Sequence, residues 1–334
     1  KDLVEPLSFQ PDRCSLSRRH FLSSTCLAPF ILIGALDLEK AEAVPEVKYL
    51  QNVEQFPLPV QVTLGTCCHT GVVTQRQVQE AIRIGYRTID TASHYENEGD
   101  IASAIQSEIL KSEGTLQRGD IRIVTKVWFD QMGYEKTLAA LNESLINIGD
   151  YIDLALIHFP GTIDSIQSPK ANQKLRASTW LALEEAYKSG TVKSIGLSNF
   201  DSRHLKTFLP SCSISPQVNQ IEFHPYFQQW ELVERCWKVG MQIMSFCPFA
   251  HGDLPVLRDT NIMQIAKKHR KSTAQVIIRW LAQEGITPVP KSLNPHHLRE
   301  NIDVYDFELS EDEMNIMRSL DRNQRVGFDP NLIA

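Results

Sequence analysis

Gly85-Tyr86-Arg87-Thr88-Ile89-Asp90-Thr91-Ala92-Ser93-His94-Tyr95-Glu96-Asn97-Glu98 is the stretch whose reading decides the fold. It passes from a helix end at Gly85, through a short β-branched strand, into a polar loop and a new helix at Glu98. Asp90 stands at the carboxyl end of that strand, and Tyr95 lies in the loop beyond it. Two further β-rich runs behave alike. Ile121-Arg122-Ile123-Val124-Thr125-Lys126 ends on a lysine, and Ile152-Asp153-Leu154-Ala155-Leu156-Ile157 runs into His158. A lone residue of these types at a strand end is more often structural than catalytic. Four at corresponding ends of successive units point to chemistry, because the carboxyl rim of a strand–helix barrel is where reacting groups gather.

The remaining chain repeats the unit. Thr74-Gln75-Arg76-Gln77 reads as a capping box opening a helix with Val78, Ala81 and Ile82 on one face. Helices are expected over residues 99–110, 134–147 and 175–189, the last closed by Gly190, and from Gln229, Asp259, Thr273 and His296 onward. Ser310-Glu311-Asp312-Glu313 caps a final helix ending near Leu320. Val192-Lys193-Ser194-Ile195-Gly196-Leu197, Val218-Asn219-Gln220-Ile221-Glu222, Gln242-Ile243-Met244-Ser245-Phe246 and Thr287-Pro288-Val289 supply strands five to eight. The class is α/β, and eight such units close as a (β/α)8 TIM barrel, here over residues 44–334.

Composition agrees. A chain of 334 residues accommodates one barrel of ~250 residues with extensions. The apolar share of 42% and charged share of 22% are those of an ordinary globular protein. A net charge of −6 leaves no basic excess to neutralise phosphates, which argues against nucleic acid as a main partner. Seven cysteines, an odd number without metal-ligand spacing, suggest neither a disulfide framework nor a zinc site. The adjacent Cys67 and Cys68 read as small packing residues. Nothing else in the sequence gathers at His296-His297, so no metal is expected.

Residues 1–43 read as a targeting region. Ser17-Arg18-Arg19-His20-Phe21-Leu22 opens an uncharged run over residues 21–36, and Ala41-Glu42-Ala43 places small residues where a signal peptidase reads. The segment resembles a twin-arginine export signal. Its apolar core is shorter than the ~20 residues of a membrane span, so no stable membrane insertion is expected once it is removed. A bacterial periplasm or a thylakoid lumen suits such a signal; without one the compartment is the cytoplasm.

From about Gln61 to Arg325 the chain resembles the aldo-keto reductase family. The resemblance rests on residues 90–98 of the opening stretch, Thr125-Lys126-Val127-Trp128 and Leu156-Ile157-His158-Phe159-Pro160. It continues through Gly196-Leu197-Ser198-Asn199-Phe200, Asn219-Gln220-Ile221-Glu222-Phe223-His224-Pro225-Tyr226 and Pro290-Lys291-Ser292. The catalytic tetrad it implies is Asp90, Tyr95, Lys126 and His158, and the chemistry of those side chains fits. Hydride addition to a carbonyl leaves an alkoxide that needs a proton, and a phenol with a free pKa of ~10 is a weak donor near neutrality. A neighbouring Lys126 ammonium is expected to lower that value, with Asp90 holding the lysine and His158 donating to the carbonyl oxygen.

The resemblance also implies a nicotinamide cofactor site. Ser198, Asn199 and Gln220 hold the carboxamide, and Thr66 on the first rim loop is a further contact. Phe246 stands where the family stacks an aromatic ring, usually tyrosine, and Cys247 replaces the following serine. Lys291 and Ser292 meet the 2′-phosphate with help from Asn294, while Glu300 and Asn301 hold adenine. His297 falls where an arginine is usual, so NADPH is expected over NADH by a reduced margin. Trp128, Phe159 and His94 line the substrate pocket, and a tail of 14 residues beyond Leu320 is too short for a long lid. The expected activity is NADPH-dependent reduction of a small aldehyde or ketone by a monomer. The alternative is a cofactor-sensing regulatory or binding subunit on the same fold.

Overall fold

The computed structural model describes residues 61–162 and 167–334. The region read as an export signal lies outside the described residues. Eight parallel strands form one sheet in sequential order. They are β1 (Leu64–Gly65), β2 (Thr88–Asp90), β3 (Arg122–Val127), β4 (Leu154–Ile157), β5 (Ile195–Ser198), β6 (Val218–Glu222), β7 (Gln242–Phe246) and β8 (Thr287–Val289). The backbone N–H groups of Thr63 and Gly65 donate to the carbonyls of Pro288 and Pro290, each at 2.9 Å, which joins the first strand to the last. The molecule is a (β/α)8 barrel.

Its ten α-helices among the described residues are α1 (Val72–Ile84), α2 (Glu98–Lys111), α3 (Tyr134–Ile148), α4 (Pro169–Lys188), α5 (Ser202–Phe208), α6 (Trp230–Lys238), α7 (Thr260–His269), α8 (Thr273–Gln283), α9 (Pro295–Ile302) and α10 (Glu311–Ser319). None is long and apolar enough to cross a membrane.

Strand periodicity of two places the site. One apolar cluster contains Val124, Leu154, Leu156, Val218, Met244 and Val289, alternate residues of the strands that fill the barrel interior. The residues between them, Ile123, Ala155, Ile157, Ile221 and Ile243, belong to the larger cluster packed beneath the helices. Two residues beyond an inward position is the next inward position. Val124 therefore leads to Lys126, Leu156 to His158, Val218 to Gln220 and Met244 to Phe246, which puts their side chains at the mouth of the barrel. On β5 the inward slot below Ser198 is Gly196. A Cβ there would lie 2.7 Å from the Val218 carbonyl oxygen and 2.8 Å from a Leu156 methyl, so only glycine fits.

Several local expectations change. Helix α1 begins at Val72 behind Gly71, and Thr74 lies inside it rather than capping it. The Thr74 hydroxyl donates to the His69 carbonyl at 2.7 Å, and Gln77 donates to the carbonyls of Gly65 and Ser292. These polar groups tie α1 to the rim. Strand β4 starts two residues late, because the Asp153 carboxylate accepts from the Ile123 backbone N–H at 2.9 Å where a strand carbonyl would have stood. Val192 bridges only Ile152, and β5 begins at Ile195. Helix α5 was not anticipated, although Asp201 caps it through the N–H groups of Arg203 and His204.

Gly196→Ala is expected to destabilise the barrel by about 1–3 kcal/mol through overpacking of the β5 slot. Urea unfolding followed by circular dichroism measures it, and an unchanged midpoint would refute the steric argument.

Candidate active site

The centre of the mouth is an ion pair. The Lys126 ammonium lies 2.7 Å from Asp90 Oδ1 and donates to the Thr91 carbonyl at 2.8 Å. Both residues are buried, Lys126 at 1% exposure and Asp90 at 5%. Gln220, arriving from β6 across the barrel, donates to Asp90 Oδ2 at 2.6 Å. Burial lowers the Lys126 pKa, and the charge and hydrogen bond of Asp90 act against that.

Tyr95 sits in a single 3-10 turn, Ser93–Tyr95, that leaves β2. The Ser93 hydroxyl donates to the Lys126 carbonyl at 2.9 Å, pinning the turn to β3. Asn97 donates to the carbonyls of Thr66 and His69, each at 2.9 Å, and fixes the far side of the loop. The ring of Tyr95 then lies 5.2 Å from the Lys126 ammonium and 5.9 Å, edge-on, from the His158 ring.

The expected lowering of the tyrosine pKa is not what this arrangement produces. Burial pushes the Tyr95 phenol well above its ordinary value, with Asp90 and then Cys247 acting in the same direction. The Lys126 ammonium is instead paired with Asp90. His158 is held well below the ordinary histidine range by burial, then by Lys126 and by His94, so its imidazole is neutral near pH 7.

Trp128, Phe159 and His94 do come together. His94 stacks on Trp128 at 3.9 Å, and Trp128 meets His158 at 4.8 Å and Phe159 at 5.4 Å, both edge-on. The sequence reading missed a fourth ring. Phe328 stands edge-on to Phe159 at 5.4 Å. The short tail reaches the rim because Glu222, buried at 1%, accepts from the backbone N–H groups of Val326 and Gly327 at 2.7 and 2.8 Å. The signal was Gly327, where a Cβ would lie 2.7 Å from that carboxylate.

The residues assigned to the cofactor divide into three groups. Ser198, Asn199, Gln220 and Phe246 converge on the mouth with the tetrad. Asn199, in the left-handed region at φ 61°, donates to the His158 carbonyl at 3.0 Å and to the Ser198 hydroxyl at 3.1 Å. Thr66 is fully buried, and its hydroxyl donates to the Asp90 carbonyl at 2.8 Å, so its role is to hold the end of β2. Lys291 and Ser292 lie on the loop between β8 and α9. Lys291 is exposed, reaching the Cys67 carbonyl at 3.4 Å.

On α9, Asn294 is the helix cap, accepting from the His296 N–H at 2.9 Å. Asn301 is buried at 2% and hydrogen-bonded to Tyr86, while His297 and Glu300 remain at the surface. Glu300 lies 3.2 Å from His296, so the histidine pair is not without a neighbour, as the sequence suggested. Arg299 is committed to Glu80 of α1 at 2.6 Å.

One cysteine feature also departs from expectation. Cys67 and Cys68 are joined in a disulfide between neighbouring residues rather than packed as separate thiols. Cys247 lies 2.7 Å from His251 Nε2. Burial, and then Glu222, push the Cys247 thiol far up, so it is not a thiolate.

A carboxylate–lysine pair, a phenol and a neutral imidazole at one barrel mouth, walled by aromatic rings, make a site for proton transfer to an apolar-flanked substrate. The sequence model of the Aldo/keto reductase family matches residues 72–322. The chain belongs to the aldo-keto reductase family. It is 42% identical to the glyoxal reductase of Bacillus subtilis (strain 168) over 255 residues, 76% of this chain and 86% of that protein. It is also 42% identical to the 9,11-endoperoxide prostaglandin H2 reductase of Trypanosoma cruzi (strain CL Brener) over 285 residues, 84% and 94% of the two chains. Among solved structures, a Bombyx mori aldo-keto reductase in complex with NADP superposes with a TM-score of 0.71 at 32% identity, covering 80% of this chain and 91% of that one. The chain is thus an NAD(P)H-dependent oxidoreductase of the carbonyl-reducing class.

Lys126→Met alone should destabilise the protein by about 3–5 kcal/mol, because it leaves the Asp90 charge buried without its counter-ion. The double variant Asp90→Asn/Lys126→Met should recover much of that loss. Equal unfolding midpoints for the single and double variants would show that the pair is not coupled.

Proposed function

We propose that the protein reduces small aldehydes or ketones to alcohols with NADPH, and that Tyr95 is the general acid. The observation that carries this reading is the convergence of Tyr95, the Asp90–Lys126 pair and neutral His158 at one mouth.

The residues present suit a nicotinamide dinucleotide. Ser198 and Asn199 offer a hydroxyl and an amide side chain beside His158 for a carboxamide, and Phe246 supplies a half-buried ring at the end of β7. Gln220 is engaged with Asp90 through its amide nitrogen. Exposed Lys291, with Ser292 next to it, provides a cation and a hydroxyl suited to a phosphate. When bound, the reduced cofactor supplies the hydride.

The protein's own contribution is positioning and proton transfer. His158, kept neutral, retains one ring N–H to donate to the substrate oxygen and favours charge developing there. Tyr95 gives its proton to the alkoxide as the carbonyl carbon gains hydride, and the resulting phenolate faces the Lys126 ammonium. The products are the alcohol and the oxidised cofactor, and solvent returns the proton to Tyr95. Trp128, Phe159, His94 and Phe328 exclude water from one side and favour substrates with an apolar or flat flank.

Tyr95→Phe should lower kcat by on the order of a hundredfold or more while NADPH still binds. Steady-state assays with a short aldehyde and fluorescence titration of NADPH test the two halves, and near-normal kcat would sink the assignment. Because His158 is held below its ordinary range and Tyr95 above, neither changes protonation between about pH 6.5 and 8. A flat kcat/KM for reduction is expected across that window, and a titration midpoint within it that vanishes in His158→Gln would contradict the argument.

His297→Arg is expected to tighten NADPH and leave NADH unchanged, since a guanidinium pairs with phosphate in bidentate fashion and NADH lacks the 2′-phosphate. Titration of both cofactors decides it, and equal effects on the two would place residue 297 away from the phosphate.

A further inference from the structure

Helix α9 carries an arrangement that neither the proton chemistry nor the barrel requires. At about 100° per residue, Glu300 lies some 40° around the helix from His296 and His297 lies about 100° around, so the carboxylate falls between the two imidazoles. His296 Nδ1 is 3.2 Å from Glu300 Oε2. One donor atom from each of His296, His297 and Glu300 lies within 4.8 Å of the other two.

The helix that presents them is held firmly. Leu298 and Asn301, on its opposite side, are buried at 1% and 2%, and Asn294 caps its first turn. Arg299, the one guanidinium on the helix, is drawn away to Glu80 at 2.6 Å.

We propose that His296, His297 and Glu300 form a binding site for a borderline divalent transition-metal ion such as Zn2+. The chemistry of the donors selects the ion. Two imidazole nitrogens and a carboxylate suit Zn2+ and its neighbours in the first transition row, whereas Mg2+ and Ca2+ prefer oxygen donors throughout. Bond lengths of ~2.0–2.2 Å put the donors of a tetrahedral ion about 3.4 Å apart. The three donors here, within 4.8 Å of one another, must close in by up to about 1.4 Å, which rotation of exposed side chains can supply. The His296 side chain is 76% exposed and free to make that movement. Three protein donors leave a coordination position open to water or to an added ligand.

Full-chain protein without cofactor, titrated with Zn2+ against a chromophoric chelator, tests the site independently of the cofactor reading above. Wild type is expected to take up one ion that Mg2+ does not displace. His296→Ala should weaken that binding by at least about tenfold, since even outer-shell changes cost 10–100-fold in metal affinity. His296→Asp, which restores a donor at the same position, should recover part of it. His296 is exposed and outside the tetrad and the cofactor contacts, so carbonyl reduction without added metal should be the same in wild type and His296→Ala and reports that both are folded. Equal Zn2+ affinity and stoichiometry in wild type and His296→Ala would overturn the proposal. So would recovery by His296→Asp no greater than in the alanine variant.

Discussion

The Asp90–Lys126 pair is the constraint on which the rest of the mouth depends. It is buried, and a buried charge without a partner is strongly unfavourable. The side chains and the backbone carbonyls of these two residues also bond to their surroundings. The Asp90 carbonyl accepts from Thr66 and so fixes the end of β1, while its carboxylate accepts from Gln220 and so reaches β6. The Lys126 carbonyl accepts from Ser93 and so places the turn that carries Tyr95. The ion pair thereby joins β2, β3 and β6 through side chains, while the backbone carbonyls of the same two residues hold Thr66 beyond β1 and the turn that carries Tyr95. An apolar pair of similar volume would be as easy to bury but would lose the bonds to Gln220 and to the Thr91 carbonyl.

The same pair explains why the tyrosine is not tuned as the sequence suggests. A lysine read from sequence is a full positive charge near a phenol. In the folded chain that charge already faces Asp90 at 2.7 Å, and Asp90 acts on the phenol in the same direction as burial. Burial then dominates and raises the phenol pKa. The Lys126 ammonium matters most once the phenol has lost its proton, when a phenolate lies above it. In the proposed reaction, proton donation is favoured late, as the alkoxide forms, rather than by a phenol already acidic at rest.

What the sequence made legible follows from periodicity. Lys126, His158, Gln220 and Phe246 each lie two residues beyond an inward apolar residue, Val124, Leu156, Val218 and Met244, and Asp90 ends β2. Trp128 and Phe159 were legible for the same reason, each being close behind such an end. Features made by contact across loops were not. Phe328 reaches Phe159 only because Glu222 captures two backbone amides of the tail. Thr74 looked like a helix cap because local pattern cannot register that its hydroxyl serves the His69 carbonyl instead. Glu300 looked remote from the histidine pair until helical geometry folded the fourth residue back over the first.

Helix α9 shows how the fold separates what must stay from what is free to change. Its buried side, Leu298 and Asn301, packs toward Tyr86, and its cap and the Arg299–Glu80 pair fix its ends and its flank. Residues 296, 297 and 300 point the other way and contribute little to that packing. Substitution there alters the charge and ligating character of the rim without moving the helix. An arginine at 297 offers a fixed positive charge with no lone pair to give, whereas a histidine offers a ring nitrogen that can ligate a metal. On the proposed cofactor and metal readings, exchanging one for the other changes which ligands the rim can hold while the Asp90–Lys126 mouth keeps its geometry.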